Sequence, residues 1–443
     1  MTRAARASSV LWGVASWLVL GACERGGDGG VTLQLWAMGR EGEVVPELTA
    51  EFERLHPGVR VDVQQLPWTS AHEKLLTAFV GEATPDVAQL GNTWLPELAA
   101  LGALQPLDTQ VEASAREDGA DGVVAGDYFP GIWATNQVGG ALYGVPWYVD
   151  TRLLFYRQDL LAAAGYPEVP TTWAGWLEAM QAIKRQVGPE RYAILLPVNE
   201  FEQLLTLALS AGEPLLRDGD RYGNFRGAGF RRALTFYLDL FRRELAPVAT
   251  ETQISNVWAE LDRGYFTFMF HGPWSIGEFQ RRLPAARQRV WMTAPMPGPT
   301  GPGAGIAGGS SLVVFRRARH PELAWQLVEF LSRPSSQRRF HALTGDLPPR
   351  RASWRDAALA ADPHVHAFRD QLERVRRAPP VPEWERIMTE LRLVSERAVH
   401  RVGPRTTDAE LAQVVAAAAA ELDARVDELL DKRRWMLARE EHR

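Results

Sequence analysis

The stretch GYFTFMFHGPWSIGEF, Gly264 to Phe279, contains the features that decide the fold. It begins with an apolar, aromatic run that has the length and composition of a buried strand. Gly272-Pro273 then breaks the strand, and the pattern predicts that a helix begins at Pro273 or Trp274. A strand that leads into a helix is the repeating unit of α/β proteins, and ligands bind at the seam between the two. Trp274 either lines such a site or anchors the core, and its place at the seam favours the site.

The alternation of strand and helix extends over most of the chain. Strand patterns at 31–36, 59–63 and 86–90 are separated by helical patterns, and this order implies parallel pairing with right-handed crossovers. A second alternation follows, and 443 residues exceed what one compact core usually supports. We therefore predict an α/β protein with two lobes joined by more than one crossing. The predicted ranges are 31–148 with 307–350 for the first lobe, 151–300 with 353–443 for the second, and 149–153 and 300–308 for the crossings.

The N-terminus has the pattern of an export signal. Arg3 and Arg6 precede an uncharged run from Val10 to Leu20, which is too short to span a bilayer but suits a signal peptide. Cys23, the only cysteine, ends a segment that resembles a bacterial lipobox. We predict a signal peptide over 1–22, a lipid anchor on Cys23, and a tether over 23–30 that holds an exported protein at the periplasmic face of the cell envelope. An ordinary signal peptide with a chance cysteine is the alternative.

Composition and motifs exclude several classes of function. A net charge of −5 gives no reason to expect a nucleic-acid partner. The GxGxxG pattern at 303–308 precedes a predicted strand, whereas a dinucleotide site requires a helix there. His364 and His366 have no Cys or His partner at metal-ligand spacing. We therefore predict neither a metal nor a cofactor.

Aromatic residues stand beside polar residues at several predicted seams. An aromatic ring offers a flat apolar platform for the C–H faces of a sugar, and carboxylate, amide and guanidinium groups pair with its hydroxyls. A phosphate ligand would require more cationic groups. The combination therefore predicts a neutral, polyhydroxylated ligand at the carboxyl ends of the strands. The pairs are Trp36 with Arg40 and Glu41, Trp94 with Asn92, Trp147 with Asp150, Phe201 with Glu200, and Trp274 with the Gly272-Pro273 break.

Each aromatic residue also has a structural interpretation. Trp173, Trp176 and Trp325 lie within helical apolar patterns and are predicted to be core. The pattern leaves Trp36 evenly balanced between core and cleft, whereas Trp94 and Trp147 are predicted to line the cleft. Asp150 interrupts an apolar run, where a charge is unfavourable unless paired. It is either an acceptor for backbone amides at a hinge or an acceptor for ligand hydroxyls.

A series of short motifs occurs in a characteristic order along the chain. They are Pro85-Asp86-Val87, Gly102 to Asp108, Tyr143 to Pro146, Leu154-Phe155-Tyr156, Thr172-Trp173, Gly272-Pro273-Trp274, Ala307-Gly308-Gly309-Ser310 and Ala324-Trp325. In this order and spacing they resemble the carbohydrate-binding extracellular solute-binding proteins of ABC importers, a family that includes the maltose/trehalose receptors. The resemblance runs from about Val31 to Val402.

The resemblance implies a periplasmic-binding-protein-like (type II) fold, with two α/β lobes that hinge around an interlobe cleft. It implies a monomer that binds a carbohydrate without altering it and then docks on the membrane permease. The ligand contacts it implies fall on Arg40, Glu41, Asn92, Trp94, Asp150, Glu200, Trp274 and Trp384, and Gly308 is predicted to contact the ligand beside them.

Three functions remain open at this point. The first is a receptor for a di- or oligosaccharide, with α-glucosides such as maltose or trehalose as candidates. In the family, maltose receptors commonly carry an acid where this chain has Asn92-Thr93, and this difference counts against maltose as the ligand. The second is an exported glycoside-active enzyme that uses a pair of carboxylates in the same cleft. The third is a sensor that reports ligand occupancy to a membrane kinase.

The Ala-rich extension from Leu411 to Arg443 is longer than the family usually carries.

Overall fold

The computed structural model describes residues 30–117, 119–254 and 256–440, and the side chains of 434–440 are not among the described atoms. Cys23 and the predicted signal peptide lie outside these ranges. Within them, no helix is both long enough and apolar enough to cross a membrane.

Strands and helices alternate as the sequence predicts. The strands are β1 (Val31–Met38), β2 (Val59–Leu66), β3 (Val87–Gly91), β4 (Gln137–Val138), β5 (Ala141–Leu142), β6 (Val145–Asp150), β7 (Leu153–Arg157), β8 (Tyr192–Leu195), β9 (Leu216–Arg217), β10 (Tyr222–Gly223), β11 (Phe266–His271), β12 (Trp291–Ala294), β13 (Gly305–Ile306), β14 (Gly308–Val314) and β15 (Val375–Arg376).

The helices cover both faces of the two main sheets. They are α1 (Gly39–Leu55), α2 (Trp68–Val80), α3 (Leu95–Ala100), α4 (Asp108–Glu117), α5 (Pro130–Ala134), α6 (Gln158–Ala163), α7 (Trp173–Val187), α8 (Glu202–Ala211), α9 (Ala228–Arg242), α10 (Val257–Arg263), α11 (Trp274–Arg282), α12 (Pro321–Ser332), α13 (Pro334–Thr344), α14 (Ala357–Ala361), α15 (Pro363–Leu372), α16 (Trp384–Val399) and α17 (Asp408–Glu440).

The first sheet has the strand order β2-β1-β3-β14-β6, and it defines lobe 1 together with the helices packed on it. β1 pairs in parallel with β2 and β3, whereas β14 runs antiparallel to β3 and β6. Successive side chains of β1 point to opposite faces, so Leu35 and Trp36 belong to separate core clusters on the two sides. Trp36 is 8% exposed, which decides its balanced prediction in favour of the core.

The second sheet has the strand order β12-β7-β11-β8 and defines lobe 2. The aromatic run of β11 lies at its centre, antiparallel to β7 and parallel to β8. Phe268 is fully buried and meets Trp176 of α7 edge to face, with ring centroids 5.8 Å apart. The predicted core positions of Trp173, Trp176 and Trp325 are confirmed, since each is buried.

The seam between β11 and α11 lies where the sequence predicts it. The helix begins at Trp274, directly after Pro273. A Cβ atom at Gly272 would lie 1.8 Å from Cζ3 of Trp274, so no larger residue fits beneath this ring. The glycine is therefore required by the position of the tryptophan.

The chain passes between the lobes at several places. One crossing is the short link between the end of β6 at Asp150 and the start of β7 at Leu153. Another lies between β12 and β14, where β13 pairs with β15. Gln371 is fully buried beside it, donates to the carbonyl of Gly303 at 3.1 Å and accepts from the amide of Met296 at 2.8 Å.

The C-terminal helix α17 packs on lobe 2. Its buried face includes Leu422 and Val426, which belong to the lobe 2 core cluster. Asp423 accepts from the backbone amide of Phe225 at 2.6 Å, and Asp427 accepts from that of Gly223 at 2.7 Å. The Ala-rich extension is thus joined to lobe 2 through both apolar and polar contacts.

Gly309 offers a test of the close contact between β14 and β6. Its φ is +118°, and a Cβ atom there would lie 2.3 Å from the carbonyl oxygen of Tyr148. We expect Gly309→Ala to lower the free energy of unfolding by about 1–3 kcal/mol or more, because it combines backbone strain with a clash against backbone. Urea denaturation followed by circular dichroism measures the change.

Gly301→Ala is the matched control, because a Cβ atom at Gly301 would have no atom within 4 Å. Equal denaturation midpoints for the two variants would contradict the proposed constraint at Gly309.

Candidate ligand-binding site

A cleft with a volume of about 670 Å³ lies between the two lobes. It lies beyond the carboxyl ends of β1, β3, β6 and β11, where open α/β sheets bind small molecules. Eight of the residues predicted from the sequence line it. They are Arg40, Glu41, Asn92, Trp94, Asp150, Trp274, Gly308 and Trp384.

The prediction for Trp147 is wrong. The residue is fully buried in the lobe 1 core, where its ring stacks on Phe340 with a centroid distance of 4.3 Å. Its neighbour Tyr148 belongs to the same core cluster but also lines the cleft. The strand is predicted correctly, but of its two adjacent aromatic residues the pattern assigns the wrong one to the ligand side.

A hydrogen-bonded network fixes the acidic wall on lobe 1. The hydroxyl of Tyr148 donates to Oε1 of Glu41 at 2.8 Å. Nε2 of Gln89 donates to the same hydroxyl at 3.3 Å and to Oγ of Ser310 at 3.2 Å. Glu41 is 7% exposed, and burial raises the pKa of its carboxyl group. The wall therefore presents a carboxyl group whose position is set before any ligand arrives.

A third acid joins Glu41 and Asp150 at this wall. Asp346 lies in the loop after α13, and burial together with the charges of Glu41 and Asp150 raises its pKa well above the ordinary value. Asp346 is not among the predicted residues, since no aromatic residue or strand end adjoins it in the chain. Three carboxyl groups in a shared, poorly hydrated space favour a ligand rich in hydrogen-bond donors.

Arg152 is a second residue that the sequence analysis did not include in the site. Its guanidinium carbon lies 4.4 Å from the centroid of the Trp274 ring. Its Nη2 is 3.9 Å from a carboxylate oxygen of Asp150 and 3.7 Å from one of Glu202. Burial raises the pKa of Asp150 despite the nearby guanidinium, and Oδ1 of Asp150 has no hydrogen-bond partner among the described residues. Asp150 thus retains an acceptor for a ligand.

Aromatic rings cover the lobe 1 side of the cleft mouth. Trp94 stacks on His72 with ring centroids 5.1 Å apart, and Trp68 meets Trp94 edge to face at 5.5 Å. Trp68 is 36% exposed, which leaves an apolar surface at the entrance. Trp384 lines the cleft from lobe 2 although only 1% of the residue is exposed, so it offers an edge rather than an open face.

Asn92 supplies a hydrogen-bond donor on the same side. Its Oδ1 accepts from Oγ of Ser311 at 2.9 Å, and its backbone amide donates to the carbonyl of Gly309 at 3.1 Å. Its Nδ2 is buried and has no partner within the described part of the chain. This amide can therefore satisfy an acceptor of a bound molecule.

Glu200 lies in a side cavity of about 540 Å³ rather than in the cleft itself. Arg152, Glu202 and Trp274 line both spaces and so form the partition between them. Nε2 of Gln203 donates to Glu200, and burial together with the charge of Glu202 raises the pKa of Glu200 to about 7. The predicted contact of Glu200 with a ligand in the cleft therefore stays a prediction.

No group of three or more metal-ligating side chains occurs in the described ranges. The site instead combines aromatic rings with fixed acceptors and a few donors. A cleft of this kind between two α/β lobes is typical of proteins that bind a small solute.

The chain belongs to the bacterial extracellular solute-binding protein family, whose profile matches residues 38–338. The structure is similar to that of the sugar-binding protein MalE from Xanthomonas citri, with 56% sequence identity, a TM-score of 0.86, and coverage of 92% of this chain and 99% of that one. The predicted type II periplasmic-binding-protein-like fold is thereby confirmed.

Two curated relatives agree with this membership. An uncharacterized lipoprotein in the oleD 5′ region of Streptomyces antibioticus is 30% identical over an alignment of 396 residues that covers 83% of each chain. The diacetylchitobiose-binding protein DasA of Streptomyces coelicolor is 24% identical over 370 residues, 81% of this chain and 83% of the relative.

The raised pKa of Glu200 predicts that the stability of the folded protein changes with pH. Its pKa is about 7 in the folded protein against an ordinary 4.5, so the folded state binds the proton more tightly than the unfolded state does. Its contribution to stability is therefore greatest below about pH 4.5 and is lost as the pH rises towards 7. Glu200→Gln should remove this loss and exceed the wild type in free energy of unfolding by on the order of 2 kcal/mol at pH 8.

Denaturation curves of the wild type and the variant between pH 4.5 and 8 give the difference directly. A difference that does not grow with pH would show that Glu200 ionises normally in the folded protein.

Proposed function

We propose that this protein is the receptor of an ABC sugar importer and that it captures a neutral di- or oligosaccharide in the cleft between its lobes. The observation that carries the proposal is that the Trp274 ring and three carboxyl groups, those of Glu41, Asp150 and Asp346, line one cavity. The ring provides a surface for the apolar face of a sugar, and the carboxyl groups accept from its hydroxyls. The similar structure from Xanthomonas citri is named a sugar-binding protein, which supports this choice.

The size of the cleft agrees with a ligand of a few sugar rings. Its volume of about 670 Å³ falls within the range of pockets that enclose small molecules. α-Glucosides such as maltose and trehalose are the first candidates. Glu200, in the adjoining cavity, would contact a ligand that extends past the partition.

The proposal includes a place and a partner in the cell. The lipobox-like segment at Cys23 would attach the protein to the membrane at the periplasmic face of the envelope, and a relative named as a lipoprotein supports this. A monomer with closed lobes would then dock on the permease, since closure about the crossings changes the surface that the two lobes share.

Titration calorimetry against a panel of α-glucosides, other disaccharides and longer oligosaccharides tests the proposal. We expect at least one sugar to bind with a Kd below about 100 µM, which corresponds to roughly −5.5 kcal/mol. If no sugar on the panel reaches that affinity, the proposed function is wrong.

The carboxyl groups in the cleft also permit the alternative of a glycoside-active enzyme. Incubation of the protein with each sugar that binds, followed by an assay for reducing ends, separates the two functions. Turnover would establish the enzyme, and tight binding without turnover would support the receptor.

Trp274→Ala tests the stacking surface. We expect the variant to fold and to lose about 1–3 kcal/mol of sugar binding, because the apolar surface of the ring is no longer available to the ligand. Calorimetry measures the affinity, and circular dichroism checks the fold.

Trp133→Ala is the comparison, because Trp133 is half-buried on α5 and does not line the cleft. Its Kd should match that of the wild type. Normal binding by folded Trp274→Ala would assign Trp274 to the core alone.

A further inference from the structure

The guanidinium of Arg152 lies against the ring on which the proposed function stacks the sugar. Its central carbon is 4.4 Å from the centroid of the Trp274 ring, a distance typical of a cation–π contact. The ring itself is held by the backbone, because Gly272 lies too close to it to carry even a methyl group. Arg152 is therefore the movable member of this pair.

The ion pairs of Arg152 are loose. Its contacts with Asp150 and Glu202, at 3.9 and 3.7 Å, exceed the length of a charge-assisted hydrogen bond. Arg157 on the following strand shows the contrast, since it binds Asp159 through two contacts of 2.7 and 2.6 Å. Electrostatic attraction and the ring hold Arg152 in place, but no bidentate pair locks it.

The side cavity beside the partition can receive the displaced guanidinium. Glu200, Glu202 and Glu251 line it, and so does Gln203, which is 2% exposed and whose Oε1 has no partner among the described residues. Arg152 already borders this space of about 540 Å³. The carboxyl and amide oxygens of these residues thus offer more hydrogen-bond acceptors than Arg152 contacts in this structure.

We infer that Arg152 covers Trp274 in the free protein and restricts the cleft to ligands that displace its guanidinium into the side cavity in order to stack. This inference rests on the proposed function. The cost of displacing Arg152 is the same for every ligand that stacks on Trp274. A ligand whose stacking and hydroxyl contacts do not outweigh that cost is not bound.

The test compares sugar affinities in a double-mutant cycle. Arg152→Ala should bind the panel's best neutral disaccharide about 2- to 30-fold more tightly than the wild type, the range that a cation–π contact spans. In a Trp274→Leu background, Arg152→Ala should leave the Kd unchanged, because the covered ring is absent. Arg263→Ala, which removes one positive charge from lobe 2 outside both cavities, should leave the Kd unchanged as well.

Circular dichroism shows whether each variant is folded. If Arg152→Ala is not, Arg152→Gln removes the same charge, keeps a polar side chain beside Asp150 and Glu202, and should also tighten binding.

The outcomes separate the inference from the proposed function. Sugar binding that is unchanged or weaker in Arg152→Ala would overturn the inference and leave the receptor intact, because Arg152 would then contribute to the ligand or not face it at all. Tightening that persists in the Trp274→Leu background would also overturn it. Absence of sugar binding in every protein, wild type included, would overturn both.

Discussion

The site depends on the contact between β14 and the end of β6. β14 enters lobe 1 between β3 and β6, and its glycines bring backbone against backbone, so close that a side chain at Gly308 would meet the carbonyl of Asp150 at 2.2 Å. The serines that follow then reach Tyr148 and Asn92. Without this close approach, the acidic wall and the amide of Asn92 would not lie at one edge of the sheet.

The electrostatics of the cleft follow from that arrangement. Carboxyl groups that are taken out of water and placed near one another keep their protons to higher pH than free acids do. Here burial is the first cause for Glu41, Asp150 and Asp346 alike. Removing such groups from water costs free energy, and a bound molecule that donates hydrogen bonds to them would offset that cost. Under the proposed function, the hydroxyl groups of a sugar would supply those donors.

Much of this could be predicted from the sequence, because it depends on neighbours in the chain. The Gly272-Pro273 break placed Trp274 at the seam, and the alternation of strand and helix gave the fold class. The failures concern long-range geometry. Two half-strands run together across Asp150, so the pattern could not tell whether Trp147 or Tyr148 lines the cleft. Asp346 reaches the wall from a loop that is almost 200 residues further along the chain than Asp150, and no local pattern marks it.

The attachment of α17 to lobe 2 has a mechanical consequence. The first described strand, β1, lies within lobe 1, whereas the last described helix is fastened to the opposite body through Asp423 and Asp427. A tether upstream of β1 would hold lobe 1 at the membrane and leave lobe 2 free to move. Bending at the crossings would then change the distance between the start of β1 and α17. Two dyes, one at each of these places, would report that change as an optical signal without contacting the cleft.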